Sequence, residues 1–402
     1  MTAAPVDVLV ADANGRAALS VVRSLSRRGI SFVALGSELN GMVAVSRHVR
    51  RYLRGPQPED DAEAFGEAVL EAAARHRVRL VLPLSDPALA ICSEQRDLLP
   101  PGATLAAAGE EAVRNVLDKR RNLDTAKRLG IPCPRDFTLD YPDQTSELIA
   151  TLGLPLVLKN AGYGAHAGAG NGLKWAIARS EAELRAMLAR CSDDAAPPVF
   201  QQLVHGDVTN LCCFAARGTI VAVHEYRSLR RIGWEGTSVL REVTEPTPSL
   251  VRHAERMLAE LEWDGVAQVA FVVGRGGDAW YMETNGRIWA SVAGSVAIGW
   301  DFPYWAYRYF VHRELPQPPP LAVGAMSCWR FGDLRLLGKR LSGVEPPMPP
   351  RPGKLRAIVD YASAFRPGVH SDVFALGDPL PELVEHWSGL RLALGRRLRQ
   401  PA

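Results

Sequence analysis

Short apolar runs alternate with amphipathic runs through the first hundred residues. The apolar run at 6–13 is followed by a run with helical periodicity that ends at Gly29, and the order repeats up to the buried run at 79–87. Such alternation predicts a parallel sheet flanked by helices. The first turn between strand and helix reads D-A-N-G-R rather than G-x-G-x-x-G, so no dinucleotide site is predicted there. We expect residues 1–108 to form a sheet domain that lines part of a cleft.

The composition is that of an ordinary globular protein. The chain has 402 residues, of which 47% are hydrophobic and 23% charged, and its formal net charge is +3. This length allows about two or three domains, and the small, evenly spread charge argues against nucleic acid as a partner. No apolar run reaches the roughly 18 residues of a membrane span, and the N-terminus does not resemble a signal peptide. The six cysteines lack C-x-x-C spacing, so we expect a reducing cytoplasm without a disulfide scaffold or a zinc site.

A compact α+β unit is predicted for residues 109–196. It begins with a charged helix from Gly109 to Gly130 and includes an apolar strand that ends at Lys159. The loop that follows, from Gly162 to Gly172, contains five glycines. Glycines let backbone N–H groups converge on phosphate oxygens, and a mobile lid of this kind would keep water from a reactive intermediate. An ordinary flexible turn is the alternative interpretation.

The remaining chain divides into two parts. Residues 197–314 are mostly strand-like, and two strand-like runs at 265–273 and 279–285 flank a glycine-rich connection, which predicts an antiparallel hairpin. Residues 315–402 are proline-rich and end in a basic helix. We expect this last part to be an accessory segment packed on the core.

The return strand of the predicted hairpin carries the most informative residues. Side chains two positions apart on a strand share a face, so Glu283, Asn285 and Arg287 are expected to project together. The opposite face is expected to carry Trp280, Met282 and Thr284. A carboxylate and an amide oxygen suit Mg²⁺, and a neighbouring guanidinium can brace a phosphoryl group during transfer. Taken alone, the pattern also fits a polar strand edge that faces solvent.

The surroundings of this strand resemble the metal-binding signature of ATP-grasp enzymes, in which E-x-N-P-R ends the last core strand. The resemblance extends through the helix after Arg287, through Leu117-Asp118-Lys119 and through the runs PLVLKN and FQQLVHGD, and covers about residues 5 to 313. The chain is most similar to carbamoyl-phosphate-synthetase-like carboxylate–amine ligases, which are often found in specialised biosynthesis. The resemblance implies an α/β and α+β fold, with a Rossmann-like pre-ATP-grasp domain at 1–108, an ATP-grasp unit and a C-terminal accessory segment.

The resemblance also implies a nucleotide cleft. Lys119 and Lys159 correspond to the two family lysines that contact nucleotide phosphates, and His166 in the glycine-rich loop is a further phosphate contact if it is protonated rather than simply solvent-exposed. Asp207 stands one residue from the family acid that bonds the ribose. The hinge that lines the adenine pocket corresponds to Gln201, Gln202, Leu203 and Val204.

The implied chemistry is formation of an amide with release of ADP and phosphate. ATP, with Mg²⁺ or Mn²⁺ held by Glu283 and Asn285, phosphorylates a carboxylate, and an amine displaces phosphate from the acyl phosphate. Arg287 is the expected phosphoryl or carboxylate contact. Arg227 and Arg230 are expected to face the substrates, although a solvated charge cluster explains them equally well. The expected partners are a small carboxylate and a small amine, and homodimers are frequent in the family.

Two positions depart from the family pattern. Ala270 stands where the family has a second metal ligand, and Gln268, two residues earlier on the same face, is a weaker substitute, so binding of one metal or of two remains open. Gly286 replaces the usual proline and is expected to loosen the backbone. Two other functions stay open: activation of bicarbonate or carbamate on the same fold, and a nucleotide-binding protein that has lost catalysis.

Overall fold

The computed structural model describes residues 5–138, 144–159, 175–189, 198–232, 237–343 and 352–397. In the first domain, the predicted parallel sheet is present with the strand order β3-β2-β1-β4-β5. Its elements are β1 (Val8–Ala11), α1 (Gly15–Arg27), β2 (Phe32–Gly36), β3 (Tyr52–Arg54), α2 (Ala62–His76), β4 (Leu80–Pro83), α3 (Asp86–Glu94) and β5 (Thr104–Leu105). The strand order reverses between β1 and β4, which are buried along their whole length. A crevice outside the carboxyl ends of two such strands is the usual ligand site of an open parallel sheet.

The charged segment after the first domain forms two helices rather than the single helix predicted from its sequence. These are α4 (Glu110–Leu117) and α5 (Lys119–Arg128). The chain breaks at Asp118, which has an extended conformation and whose carboxylate accepts hydrogen bonds from the backbone N–H groups of Arg120 and Arg121, both at 3.0 Å. This is the geometry of an N-cap, which stabilises a new helix start. Lys119 therefore occupies the first position of α5.

A small antiparallel sheet follows, with the strand order β6-β9-β7-β8. Its elements are β6 (Asp136–Thr138), α6 (Thr145–Leu152), β7 (Leu156–Lys159), β8 (Trp175–Ala178), α7 (Glu181–Leu188) and β9 (Val199–Gln202). The boundary predicted after residue 196 is too early, because β9 pairs with β6 and β7. Phe200 of β9 is fully buried in the core of this sheet with Leu148 and Leu158.

A seven-stranded sheet forms the centre of the molecule, in the order β14-β13-β10-β11-β12-β15-β16. Its first part comprises β10 (Asp207–Ala216), β11 (Thr219–Arg231), β12 (Ser238–Thr244), α8 (Pro248–Glu260), β13 (Gly265–Val273), β14 (Ala279–Asn285), α9 (Val292–Ala297) and α10 (Phe302–His312). The predicted hairpin is confirmed as β13 paired antiparallel with β14. One face of the sheet packs on α8, and the other shares an apolar core with α10 and with α1 of the first domain.

The C-terminal segment is part of this sheet and not only packed against it. It forms β15 (Met326–Cys328), α11 (Arg330–Ser342), α12 (Lys354–Ala362), β16 (Val369–Ser371) and α13 (Leu380–Arg397). β15 pairs antiparallel with β12, and β16 pairs parallel with β15. The large sheet therefore continues across the predicted boundary at residue 315, which the sequence did not indicate because each added strand has only three residues.

Two buried carboxylates tie the C-terminal segment to the first domain. Asp372 accepts hydrogen bonds from Arg16 Nη1 at 2.9 Å and from Arg241 Nη2 at 2.5 Å. Asp378 accepts from Arg23 Nε at 2.9 Å and from Ser46 Oγ at 2.6 Å. Both acids are almost completely buried, where an ionised carboxylate persists only with such partners.

The cysteines of the described residues carry free thiols. The adjacent Cys212 and Cys213 of β10 are both fully buried, one on each face of the large sheet, so this pair packs in the core as expected from its apolar surroundings. No helix within the described ranges combines the length and the apolarity that crossing a membrane requires.

Candidate active site

The hairpin β13–β14 places Glu283 and Asn285 side by side. Asn285 lies opposite Gln268, and Glu283 lies opposite Ala270. The pairing then shifts by one residue, so Met282 forms a bulge and Tyr281 lies opposite Phe271. The prediction that Glu283 and Asn285 share a face is therefore confirmed.

The bulge changes the predicted alternation for the residues before it. Tyr281 now lies on the same face as Thr284, and their hydroxyl oxygens are 2.8 Å apart. Trp280, opposite Val272, shares the face of Glu283 instead of the opposite one, so this part of the prediction is wrong. Strict alternation holds only where the ladder is regular.

Glu283 is the centre of a charged group. Its Oε2 accepts a hydrogen bond from Lys119 Nζ at 3.0 Å, and its Oε1 accepts one from Asn285 Nδ2 at 3.1 Å. The charge of Lys119, and more weakly that of Lys159, outweighs the effect of burial and lowers the pKa of Glu283 to about 2. Burial lowers the pKa of Lys119, but the charges of Glu283 and Asp86 bring it above its ordinary value. Both groups are therefore ionised at neutral pH.

Lys159 reaches the same place from the small sheet. It is the last residue of β7, and its Nζ donates to the backbone carbonyl of Met282 at 3.2 Å. The bulge leaves Met282 out of the ladder and makes this carbonyl accessible. Burial lowers the pKa of Lys159 to about 8, although the charge of Glu283 opposes the shift. Both predicted phosphate lysines thus meet the predicted metal strand.

Arg287 joins this group through a residue of the first domain. Its Nε donates to Asp86 Oδ1 at 2.7 Å and its Nη2 to Asp86 Oδ2 at 3.3 Å, a two-point ion pair. Burial raises the pKa of Asp86, but the charges of Arg287 and Lys119 lower it below its ordinary value. Burial lowers the pKa of Arg287, but Asp86, Glu283 and Asp12 together raise it.

Sequence reasoning did not select Asp86 or Asp12. Asp86 follows the buried strand β4, and Asp12 follows β1 with a φ of 60°, which residues other than glycine seldom adopt. The available signal was an acidic residue just past each of two neighbouring parallel strands, at the crevice where such sheets bind ligands.

The predicted hinge lies where the small sheet meets the large one. Gln201 and Gln202 end β9, Leu203 and Val204 follow it, and Asp207 begins β10. The Gln202 side chain accepts a hydrogen bond from Arg135 Nε at 3.0 Å. Gln201 is 3% exposed, and its Oε1 has no hydrogen-bond partner among the described residues. A buried acceptor without a donor is costly, so this oxygen is able to accept a hydrogen bond from a further group.

Arg227 and Arg230 are not brought to the group around Glu283. Arg227 lies opposite Thr209, on the other face of the sheet, and donates to Glu242 at 2.8 Å. Arg230 Nε donates to Asp333 of α11 at 3.0 Å, and its Nη1 donates to Ser363. His166 and the glycine-rich loop lie outside the described residues.

The residues around Glu283 fit one magnesium ion better than two. Ala270 stands directly across from Glu283 and has no ligand atom, so a second ion would depend on the Oε1 of Gln268, whose Nε2 donates to Tyr226 at 2.9 Å. Among the described residues, no cluster of three or more histidine, cysteine, aspartate or glutamate side chains is present. One carboxylate with an amide oxygen beside it suits Mg²⁺, which is usually bound by one or two carboxylates together with water and phosphate oxygens.

Gly286 directly follows β14 and is packed against a buried tryptophan. A Cβ at this position would overlap the indole ring of Trp263 and lie close to Val116. Trp263 is fully buried, and its Nε1 donates to the carbonyl of Val266 at 3.1 Å. The ring therefore occupies the space that the usual proline would need, and glycine is required by packing.

Comparison with known proteins agrees with this architecture. Biotin carboxylase from Campylobacter jejuni, solved as a β-γ-ATP complex, is 16% identical with a TM-score of 0.61, over 80% of this chain and 74% of that one. L-amino acid ligase from Bacillus licheniformis is 14% identical with a TM-score of 0.59, over 77% and 75% of the two chains. N5-carboxyaminoimidazole synthetase from Staphylococcus aureus is 13% identical with a TM-score of 0.58, over 79% of each chain. No protein-family model and no curated protein matches the sequence.

Proposed function

We propose that this chain, which has the ATP-grasp fold of these ligases, is an ADP-forming carboxylate–amine ligase. The observation that carries the proposal is the meeting of Lys119, Lys159 and Glu283 from three separate parts of the chain. Asn285, on the same strand as Glu283, donates a hydrogen bond to it, and Arg287 follows just after the end of that strand. A nucleoside triphosphate needs cations that offset the charge of its phosphates, and its metal ion needs oxygen ligands from the protein. This group offers two lysines for the first and the side chains of Glu283 and Asn285 for the second.

Each residue has a distinct task in this proposal. Lys119 and Lys159 bind phosphate oxygens and offset their charge, and Glu283 and Asn285 would hold Mg²⁺. When bound, the metal neutralises the charge that develops on the transferred phosphoryl group. Arg287 presents a planar set of donors that matches a carboxylate or a phosphoryl group. Positioning and charge compensation of this kind supply most of the catalysis of phosphoryl transfer.

The hinge supplies the proposed base site. The buried Gln201 Oε1 lacks a donor among the described residues, and an exocyclic amino group such as that of adenine would provide one. Gln201 lies opposite Val157 of β7, two residues before Lys159, so a base bound at the hinge would lie near that phosphate lysine. Gln202, Leu203, Val204 and Asp207 belong to the same proposed site, and His166 remains a proposed phosphate contact.

The carboxylate is proposed to attack the γ-phosphorus, which gives an acyl phosphate and ADP. An amine then attacks the acyl carbon, forms the amide bond and expels phosphate. The names of the similar structures include an amino acid ligase, which supports an acid and an amine of small size. Those structures differ in their substrates, so the proposal extends to the class of reaction and not to one compound.

Activation of bicarbonate is the second candidate function. The observation that favours it is the likeness to the biotin carboxylase of Campylobacter jejuni, whose TM-score of 0.61 is slightly above that of the amino acid ligase. Under this alternative, ADP formation would depend on bicarbonate rather than on an added organic acid.

The proposed function is tested by following ADP release with a panel of small acids and amines. With the correct acid labelled with ¹⁸O in its carboxylate, one label should appear in the released phosphate, because that oxygen forms the bridge of the acyl phosphate. Glu283→Gln should abolish turnover, while Glu255→Gln, at an exposed position of α8, should not change it. Unlabelled phosphate, or full activity of Glu283→Gln, would contradict the proposal, and turnover that requires only bicarbonate would favour the second candidate.

A further inference from the structure

We infer that Asp86 of the first domain is a positioning residue that holds Arg287 in the orientation needed for the carboxylate substrate. The inference rests on the proposed function. It assigns the first domain a part in the reaction, through one side chain that follows β4 and contacts a residue just after β14.

The position of Asp86 is fixed by local structure. It is the first residue of α3, and Ser85 caps this helix by accepting a hydrogen bond from the N–H of Ala88 at 3.2 Å. Pro87 follows, and its restricted backbone suits the first turn of a helix. An acid is also favoured in this turn by the helix dipole. The carboxylate therefore leaves a rigid part of the backbone.

Asp86 binds only part of the guanidinium of Arg287. The Nε and one Nη2 proton are directed at the two carboxylate oxygens, and Nη1 has a longer contact of 3.4 Å with the carbonyl of Ile288. An arginine has five N–H donors, so two of them are not engaged by these contacts. A two-point pair fixes the plane of the guanidinium, and that plane determines where the remaining donors lie.

The ion pair between Arg287 and Asp86 is partly exposed to solvent, which favours a role in positioning over a role in folding stability. The side chains of Arg287 and Asp86 are 22% and 41% exposed, whereas those of Arg23 and Asp378 are 8% and 2% exposed. An ion pair with this much solvent contact contributes little to folding stability. The Arg287–Asp86 pair thus lies at an open cleft, where its geometry affects a bound ligand more than it affects the fold.

The experiment is a double-mutant cycle on catalysis. Asp86→Asn should lower kcat/KM for the carboxylate by about 10- to 100-fold, because small displacements of a positioning group have effects of this size. The KM for ATP and the Tm should stay close to those of the wild type, and Asp86→Glu should restore part of the loss. In the Arg287→Met background, Asp86→Asn should have no further effect. Asp97→Asn, an exposed acid of the same domain, is the matched control.

The outcomes separate this inference from the proposed function. If the wild type forms ADP with an acid and an amine but the losses from Asp86→Asn and Arg287→Met are additive, Asp86 does not act through Arg287 and the inference is wrong. The same conclusion follows if Asp86→Asn lowers the Tm in proportion to the loss of activity. If the wild type forms no ADP with any acid, the proposed function fails and this role of Asp86 fails with it.

Discussion

The ammonium of Lys119 lies 3.0 Å from the carboxylate of Glu283, although 164 positions separate them in the chain. The contact joins the first residue of α5 to the return strand of the hairpin. Each partner thus compensates the other's charge before a nucleotide is bound. We expect both to change partners on binding, Lys119 to a phosphate oxygen and Glu283 to the metal.

Lys119→Met should lower kcat/KM for ATP by about 10²- to 10³-fold, the usual cost of removing one donor that stabilises developing charge. It should also raise the pKa of Glu283, because the charge of Lys119 is the main cause of its low value. Steady-state kinetics between pH 5 and 8 would measure the first effect. The second effect would appear on the acid side of the pH profile, where the activity of the variant should begin to fall at a higher pH than that of the wild type. Lys354→Met, at an exposed position of α12, is the control. Equal activity of the two variants would contradict the role of Lys119.

Lys159 should set the alkaline limit of nucleotide binding. Its pKa is about 8, against an ordinary value of 10.5, so its ammonium is lost above that pH and its attraction for phosphate weakens. The dissociation constant of ATP, measured by calorimetry from pH 7 to 10, should rise above pH 8. Lys159→Arg should extend tight binding to higher pH, because a guanidinium keeps its proton. The same pH dependence in both proteins would argue against this role.

The same shift has a consequence for folding. Between pH 8 and 10.5 the unfolded chain still binds a proton at Lys159, whereas the folded chain has lost it. Stability rises with pH wherever the unfolded state binds more protons. This group should therefore make the folded protein relatively more stable as the pH rises through that interval, and Lys159→Met should remove the effect from urea unfolding curves.

Gly286→Ala should destabilise the fold by about 1–3 kcal/mol, the usual cost of forcing an extra methyl group into a packed core. The cause is the indole of Trp263, which occupies the space of the new Cβ. Urea unfolding would give the cost, and it should be smaller when measured in a Trp263→Phe background. Gly338→Ala, in α11 with open space around it, should be neutral or slightly stabilising. An equal cost in both backgrounds would exclude Trp263 as the cause.

Asp378→Asn should lower the free energy of unfolding by about 3–5 kcal/mol, because it leaves the buried guanidinium of Arg23 without its counter-charge. The carboxylate also accepts from Ser46 Oγ and from the N–H of Arg47, so several contacts weaken together. Chemical denaturation would measure the loss. Asp60→Asn, at an exposed position, should change stability by less than about 0.5 kcal/mol. A similar small value for both variants would show that the C-terminal segment is not held by this contact.

Local pattern was enough to predict part of the site. A period of two identifies β14 and places Glu283 beside Asn285, and this holds because the ladder is regular at that end of the strand. The bulge at Met282 was not predicted, because a bulge depends on the pairing partner as much as on the strand itself. The break at Asp118 had a recognisable signal, since aspartate is a preferred N-cap, but the helical periodicity on both sides hid it.

Contacts between distant segments could not be predicted from pattern. Asp86 and Arg287 are 201 positions apart, and no periodicity relates them. β15 and β16 have three residues each and exist because the large sheet offers an edge with which they pair. The similarity to the ATP-grasp signature did indicate both lysines, because a family motif records which distant segments meet.

The anchoring of Asp372 and Asp378 has a consequence for synthesis of the protein on the ribosome. Arg16 is synthesised 356 residues before its partner Asp372, and Arg23 is synthesised 355 residues before its partner Asp378. The sheet of the first domain can form early, yet helix α1 cannot bury these guanidiniums favourably until the segment that carries Asp372 and Asp378 has been made. A product that stops short of residue 372 should therefore leave both guanidiniums without their counter-charges, and its helix α1 should be less stable than in the longer chain.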